Sequence, residues 1–560
     1  MKSGKNEFLG VLCNLYMTAI LAALPLYTGG GYWQLGDTKY ILFRNISFLC
    51  LGLWLAAEIP ALIKGAASAA ESGEQDLSAL SAVDWAVAAY GISVTASALV
   101  SSYGKLAWLG YEGWYMGAIS QLIFVGLYFF VSRRYDGSGW PLYLGEAALF
   151  LVSILGLLHR LGIDPLGLLA GWNSGDWEYS HMLSTLGNIN WLCGYYSAAL
   201  VLAVVPWLRD RRGKVRILHY PPAAAACVLL GVQGSQGGLL ILAVCMAVCF
   251  IQGRGHLAVR RRLWLLTAGF FLGMALMEQL MRVQGDKAAV VRDGNIFGRT
   301  VWYGWAAAGL VSLACFFLDR LVQGKFAAKG GRGPRTGSGE GRSPIRLTGR
   351  RKSFPEVKKA GNPVKKGRRA GGFSAVFVLS VLAVWGALSH GLDDNFGSGR
   401  GFLWRIALES FAEADGKDKL LGAGPDCYGQ AVFAEKGAGA EVWKGEHWEG
   451  AVFTNAHNEV LSQLCNVGIL GTVCYLAIFY TGLRRYSGTE SPEEKGGQED
   501  ICRMGVLALS LYGAHALISF QQVLNTPLLF LLLGVCERQR RGGEKQKEGR
   551  DQDEVEDIQD

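Results

Sequence analysis

The feature that most constrains this chain is a series of uncharged apolar runs, each close to the length of a membrane-crossing helix. A helix needs about 20 apolar residues to cross the hydrocarbon core of a bilayer. Hydrophobic residues make up 51% of the chain and charged residues only 18%, which excludes a disordered chain, a secreted disulfide scaffold and an ordinary soluble enzyme. We therefore expect an all-α polytopic membrane protein with 12 to 14 transmembrane helices. The fourteen predicted spans are 8–27, 41–63, 83–101, 114–131, 143–161, 191–207, 217–233, 236–252, 263–281, 300–321, 373–390, 461–483, 502–519 and 524–536.

These spans divide the chain into an N-terminal transmembrane part, 1–321, and a C-terminal transmembrane part, 373–536. Residues 322–371 lie between them and are rich in Gly, Pro, Lys and Arg, so we expect a disordered basic loop. The C-terminal part contains a long aromatic loop, 391–456, and a loop of that length and composition is typical of a folded cap. The charged tail 537–560 is assigned no structure.

The positive charge of the chain is concentrated in a few loops. Segments 209–216, 254–262 and 322–371 are basic and fall on one side if the fourteen spans hold. The positive-inside rule makes that side the cytoplasm, which places both termini in the cytoplasm and the 391–456 loop outside. Residues 322–371 carry fifteen basic and two acidic residues, more than the net charge of +8 of the whole chain. The charge therefore indicates topology and contact with membrane lipid, and we expect no nucleic-acid partner.

The sequence has none of the usual signatures of a metal or nucleotide site. Twelve cysteines are present without a CxxC pair, and eleven lie in or beside predicted spans. Cys245 and Cys249 are one helical turn apart, a spacing typical of small-residue packing in membrane helices. The chain has no P-loop, HExxH or GxSxG sequence. We expect no metal, no cofactor and no ATP hydrolysis.

Candidate anion-binding residues lie at the start of the 391–456 loop. The sequence GSGRGFLWRIALESF predicts an amphipathic helix with Ser398 as its N-cap and an apolar face of Leu403, Ile406, Ala407 and Phe411. Arg400 would lie in its first turn, where a cation is disfavoured unless an anion binds there too. Arg400 is then either a phosphate ligand or a solvated charge. Arg405 either joins it or pairs with Glu409 at the i, i+4 spacing.

A candidate base lies at the other end of this loop, in the sequence TNAHNEVL. Thr454 or Asn455 can cap the helix that follows, which would place His457 in its first turn. The helix dipole lowers the pKa of a histidine there and favours the neutral imidazole, the form that a general base needs. The alternative is a histidine that only caps or packs.

Three sequences that occur in this order carry a resemblance to a known family. GSGRGFLWRIALESF, LLGAGPDCYGQAVF and TNAHNEVLSQLCNVGILGTVCYL together resemble the O-antigen ligase and O-antigen polymerase superfamily. The likeness extends more weakly to Gly187-Asn188-Ile189-Asn190 and to the pattern of spans. The resemblance implies a bacterial cytoplasmic-membrane enzyme with its catalytic loop outside.

The implied reaction is a metal-independent transfer of an oligo- or polysaccharide from a polyprenyl pyrophosphate donor to an acceptor hydroxyl, with inversion. The acceptor would be a glycan, a lipid or a wall polymer. By analogy His457 would accept the proton of the hydroxyl, and Arg400 and Arg405 would neutralise the departing pyrophosphate.

The sequence departs from the family at one position and leaves alternatives open. Many relatives carry an arginine where this chain has Gln236. Arg299 either supplies that cation or anchors a span end, and we assign it with Asn458 to substrate binding. The alternative functions are a transporter or flippase of lipid-linked glycans, a protein O-oligosaccharyltransferase of the same superfamily, and a non-catalytic scaffold.

Overall fold

The computed structural model describes residues 2–72, 80–254, 256–289, 302–330, 394–434, 453–488 and 497–559. These residues are almost entirely helical. The helices are α1 (Lys2–Thr18), α2 (Leu24–Leu26), α3 (Leu35–Ser72), α4 (Ala82–Val100), α5 (Lys105–Leu109), α6 (Ala118–Arg134), α7 (Trp140–Arg160), α8 (Trp177–His181), α9 (Ile189–Ala199), α10 (Val201–Arg209), α11 (Gly213–Leu218), α12 (Tyr220–Val232), α13 (Gln236–Gly253), α14 (Leu257–Gln284), α15 (Trp302–Gly330), α16 (Phe396–Glu413), α17 (Gly416–Leu421), α18 (Glu459–Tyr486), α19 (Gly497–Ala516) and α20 (Thr526–Gln559). The two short strands β1 (Met182–Leu183) and β2 (Gly187–Asn188) pair antiparallel, with Leu183 opposite Gly187.

The fold is that of an all-α multi-pass membrane protein. Ten helical stretches of the described chain are long and apolar enough to cross a membrane. They are Gly4–Leu26, Tyr32–Ile59, Ala82–Val100, Trp140–Arg160, Ile189–Arg209, Gly213–Val232, Gln236–Gly253, Leu257–Lys287, Trp302–Leu321 and Glu459–Tyr486. Exposed apolar side chains on the outer faces, such as Ile92 and Leu99, suit contact with lipid tails.

Each of these ten stretches overlaps a predicted span, and four predicted spans have no counterpart among them. Span 114–131 coincides with α6, which has only 17 residues. Spans 502–519 and 524–536 correspond to α19 and α20, whose sequences also include charged stretches. Span 373–390 lies outside the described residues.

Two segments that we expected to lack structure are helical in part. The tail 537–560 was assigned no structure, but α20 continues through it to Gln559. The first residue of this tail, Glu537, packs inside the protein. It is buried and forms ion pairs with Arg485 and Arg541. At the start of the basic loop 322–371, α15 continues to Gly330, through residues such as Ala and Lys that favour helix.

Among the ten membrane-crossing stretches of the described chain, the one formed by α9 and α10 is the most buried. Helix α19 packs against α9, α10 and α13, and α12 packs against α7 and α10. Helix α18 packs against α4 and α19, and α20 packs against α6 and α19. This arrangement brings the start of α18 and the end of α19 beside the start of α9.

A break inside α18 determines where the 391–456 loop docks. Gly468 has φ of 66° and ψ of −170°, so the helical hydrogen-bond ladder is interrupted there. The backbone N–H groups of Ala423 and Gly424 donate to the carbonyls of Cys465 (2.9 Å) and Asn466 (2.8 Å). The Leu-Gly-x-Gly-Pro turn thus takes the place of the missing helical donors.

The described part of the 391–456 loop has its own hydrophobic cluster. The apolar face predicted for α16 is confirmed, since Leu403, Ile406 and Ala407 are buried and Phe411 is half-buried. The rest of this cluster comes from the turn after α17 and from α18, and includes Tyr428, Val432, Leu461 and Cys465. The loop therefore folds onto the start of α18, directly after His457.

Candidate functional site

Arg400 is held at the start of α16 by two backbone carbonyls. Its Nε donates to the carbonyl of Ile518 (3.2 Å), and its Nη1 donates to the carbonyl of Gly397 (2.7 Å). No carboxylate pairs with it within the described part of the chain, and the side chain is half-buried. Burial lowers the pKa of Arg400, but a guanidinium stays charged at neutral pH. The site therefore presents a positive charge without a partner of opposite sign among the described residues.

The predicted N-cap of this helix is wrong. Helix α16 begins at Phe396, two residues before Ser398. Gly397 and Gly399 have φ of 60° and 86°, a conformation that glycine adopts with little strain. These two glycines shape the backbone around Arg400.

His457 precedes α18 and does not lie in its first turn, contrary to prediction. The N-cap is Asn458, whose Oδ1 accepts a hydrogen bond from the N–H of Leu461 (3.1 Å). Asn455 makes a different turn, in which its Oδ1 accepts from the N–H of His457 (3.0 Å). His457 therefore has φ of 48°, an uncommon value for a residue other than glycine.

The imidazole of His457 is neutral at neutral pH. Its ring is half-buried and stands edge-on to the ring of Phe520, with the ring centroids 5.0 Å apart. Burial and then the charge of Arg400 lower the pKa of His457 to about 3. The neutral form that we predicted is present, but burial and Arg400 are its causes, in place of the helix dipole.

The connection between α19 and α20 joins the two candidate residues. The carbonyl of Leu517 accepts a hydrogen bond from the Nδ2 of Asn458 (3.0 Å). The next carbonyl, of Ile518, accepts one from Arg400. Asn458 is almost fully buried and uses both ends of its amide in these contacts. It therefore holds the chain beside His457, and its assignment to substrate binding stays a prediction.

A second histidine lies in the same site. His515, at the end of α19, is buried and interacts electrostatically with Arg400. A backbone hydrogen bond links its ring to Asn190, while its Nδ1 has no hydrogen-bond partner among the described residues. Sequence reasoning missed His515 because it lies within a predicted span. A signal was available in the polar residues Ser519, Gln521, Gln522 and Asn525, which interrupt an apolar stretch, since polar groups at membrane depth often mark functional sites.

The start of α13 approaches this site from the other side. Ser235 caps α13 by accepting from the N–H of Gly237 (3.2 Å), and its Oγ donates to Oδ1 of Asn190 (2.7 Å). Cys193, one turn further along α9, interacts with Ser235 and with Arg400. The Gly187-to-Asn190 sequence and the turn before Gln236 therefore both lie beside Arg400. Gln236 itself is exposed.

Arg405 does not have the environment of Arg400. It is 44% exposed, pairs with Asp394 (2.6 Å) and with Glu409 (3.1 Å), and lies over the ring of Phe402. Asp394 and Glu409 raise its pKa. The i, i+4 pair that we weighed as the alternative for Arg405 is present, so its charge is already compensated.

Two further predictions concern Arg299 and a metal site. Arg299 lies outside the described residues. No group of three or more His, Cys, Asp or Glu side chains that could hold a metal ion occurs in the described chain.

Two comparisons with known proteins give no match. No protein-family model matches the chain, and no curated protein matches it. The functional proposal therefore depends on the geometry around Arg400 and His457.

Proposed function

We propose that this protein is a membrane glycosyltransferase of the O-antigen ligase and polymerase type. It transfers an oligo- or polysaccharide from a polyprenyl pyrophosphate to an acceptor hydroxyl on the outer face of the bacterial cytoplasmic membrane. The observation that carries the proposal is the meeting of an arginine and a neutral histidine on one short connection. Arg400 is bound to Ile518, and His457 is held through Asn458 bound to Leu517.

Such a reaction releases a proton from the acceptor, which His457 can take, and develops negative charge on the pyrophosphate, which Arg400 can neutralise. The acceptor oxygen forms a bond to the anomeric carbon of the donor while its proton passes to His457. The bond between that carbon and the pyrophosphate oxygen breaks, and its electron pair leaves with the pyrophosphate beside Arg400. Attack opposite the leaving group inverts the anomeric centre, and a guanidinium is well suited to the charge that develops on phosphate oxygens.

Binding of the donor would raise the pKa of the base, His457. A histidine with a pKa of about 3 is neutral but weakly basic. A pyrophosphate bound to Arg400 offsets the positive charge that lowers this pKa, and a nearby anion raises the pKa of a histidine. His457 would therefore become a better base when the donor is bound.

The N-terminal end of α13 supports an anion on the same side of the site through its dipole. Ser235 already caps the N–H of Gly237, and Gly237 lies near Cys193, which itself interacts with Arg400. A helix N-terminus and a guanidinium attract the same ligand. Gln236, where relatives carry an arginine, adds no charge, so we assign the pyrophosphate to Arg400 with no contribution from Arg405.

Reconstitution in liposomes tests this proposal against transport. The protein is supplied with fluorescently labelled lipid-linked glycan extracted from cells that make it, and with lipid, wall polymer and protein fractions of those cells as separate acceptors. We expect labelled transfer by the wild type, and at least a 100-fold loss in Arg400→Ala and in His457→Ala. Glycan that crosses the bilayer without transfer would establish a flippase instead, and protein as the acceptor would identify a protein O-oligosaccharyltransferase. Transfer undiminished in both variants would refute the assigned roles.

A further inference from the structure

A cavity lined by both polar and apolar side chains lies next to the candidate base. Its wall includes Asn455 and Glu459, which flank His457 in sequence, and Phe520, whose ring contacts the imidazole. Its volume is about 40 Å³, enough for a few water molecules or for one hydroxymethyl group. No catalytic or binding role was assigned above to the residues that line this cavity.

A buried hydrogen-bond network fixes the orientation of the amides in its wall. Nε2 of Gln121 donates to the carbonyl of Met116 (3.1 Å), which can only accept, and to Oε1 of Gln521 (2.7 Å). Nε2 of Gln463 donates to the same Oε1 (3.1 Å) and to the hydroxyl of Tyr90 (3.1 Å). Oε1 of Gln521 thus accepts two hydrogen bonds. The Nε2 of Gln521 is therefore the end of this amide that remains unpaired.

Three polar atoms of this wall have no hydrogen-bond partner among the described residues. They are Nε2 of Gln521, Oε1 of Glu459 and Oδ1 of Asn466. Gln521 and Glu459 are 8% and 1% exposed, so leaving their atoms unpaired is unfavourable. One donor group and two acceptors match a hydroxyl ligand, which both donates and accepts.

The wall of the cavity includes an aromatic pair. Trp114 is half-buried and stands edge-on to Phe520, with the ring centroids 4.8 Å apart. An aromatic side chain beside amide and carboxyl groups suits the apolar face and the hydroxyls of a sugar ring. Among the described residues, no Lys, Arg or His lines this cavity, whereas Asp426 and Glu459 do. The ligand is therefore not an anion, unlike the group expected at Arg400.

We propose that this cavity is a saccharide subsite that receives a hydroxyl or hydroxymethyl group of the acceptor sugar. Gln521 donates to this group, and Glu459 and Asn466 accept from it. Its position beside His457 assigns it to the acceptor, whose neighbouring hydroxyl the histidine would deprotonate. The assignment to the acceptor rests on the proposed function, whereas sugar binding by the cavity does not.

Saturation-transfer NMR on the full-length protein in detergent micelles tests the subsite directly. The probes are methyl glycosides of a hexose, a 6-deoxyhexose, an N-acetylhexosamine and a uronic acid. We expect the wild type to bind at least one neutral glycoside, and Gln521→Met to bind it about fivefold more weakly, the effect of one lost hydrogen bond. Gln522→Met is the matched control, because Gln522 is equally buried but does not line the cavity.

A second variant keeps the test independent of folding. Gln521→Met removes one of the two acceptors that each of the amides of Gln121 and Gln463 uses, whereas Asn466→Leu removes an oxygen that has no partner in the described structure. Both variants should show the same weakening. Binding of no glycoside by the wild type, or binding unchanged in Asn466→Leu, would overturn the subsite. Sugar binding without transfer in liposomes would refute the proposed function and leave the subsite standing.

Discussion

Replacing Gly468 by alanine tests how the break in α18 builds the site. A Cβ on Gly468 would lie 2.4 Å from the carbonyl carbon and oxygen of Leu420 and 2.6 Å from the nitrogen of Gly422. All three are backbone atoms, so no side-chain rotation relieves the contact and the turn itself must move. Alanine also favours a continuous helix, in which the carbonyls of Cys465 and Asn466 would bond within α18 and release the turn.

The expected cost follows from these contacts. At φ of 66° and ψ of −170°, a conformation that is essentially confined to glycine, an alanine costs about 1–3 kcal/mol, and each of the two lost turn hydrogen bonds contributes about 1 kcal/mol. We expect the free energy of unfolding to fall by about 3–5 kcal/mol in Gly468→Ala. SDS denaturation in detergent micelles, followed by circular dichroism, measures this difference.

Gly416→Ala is the matched control for this experiment. Gly416 begins α17 close to the same turn, its φ is not left-handed, and an added Cβ would meet no atom within 4 Å. Its stability should be unchanged or slightly raised, because alanine reduces the entropy of the unfolded chain. A Gly468→Ala protein as stable as Gly416→Ala would show that the break does not depend on glycine.

Three further predictions concern charge and capping. Arg400→Gln should raise the pKa of His457 above 3 while burial keeps it below 6.5, as measured by NMR of the labelled imidazole; an unchanged pKa would show that Arg400 does not act on it. Burial raises the pKa of Asp426 to about 7, so the folded protein holds a proton that the unfolded chain has released above about pH 4. Relative to Asp426→Asn, wild-type stability should therefore fall as pH rises from about 4 to 7 in thermal unfolding, and parallel curves would contradict this. Asn458→Ala should lower the free energy of unfolding by about 1–2 kcal/mol while Asn458→Ser, which keeps a capping oxygen, loses less; equal losses would refute the cap.

The sequence predicts the helices of this protein well, because length and hydropathy determine which segments can cross a membrane. The apolar face of α16 also follows from periodicity alone. Helix ends are harder, since several side chains can cap the same turn. Asn455 and Asn458 both suit a cap, and only the contact of Asn458 with Leu517 decides between them.

Which side chains meet in the site depends on helix packing, and the spacing of residues in the sequence does not determine that packing. Arg400 and Arg405 lie on the same helix and are chemically alike, but the described structure pairs only Arg405 with carboxylates. Asp394, its main partner, is eleven residues away and outside any helical spacing rule. His515 joins the site only because α19 packs beside α9. The polar residues after His515 mark this region in the sequence, but nothing local indicates which helix α19 packs against.

The contrast between the two arginines gives the most direct test of the account. Initial rates of glycan transfer in liposomes are compared for the wild type, Arg400→Gln, Arg405→Gln and His457→Gln, each at equal amounts of folded protein. The account predicts at least a 100-fold loss in Arg400→Gln and in His457→Gln, and a change of less than about threefold in Arg405→Gln. Equal losses in the two arginine variants, or full activity in His457→Gln, would contradict it.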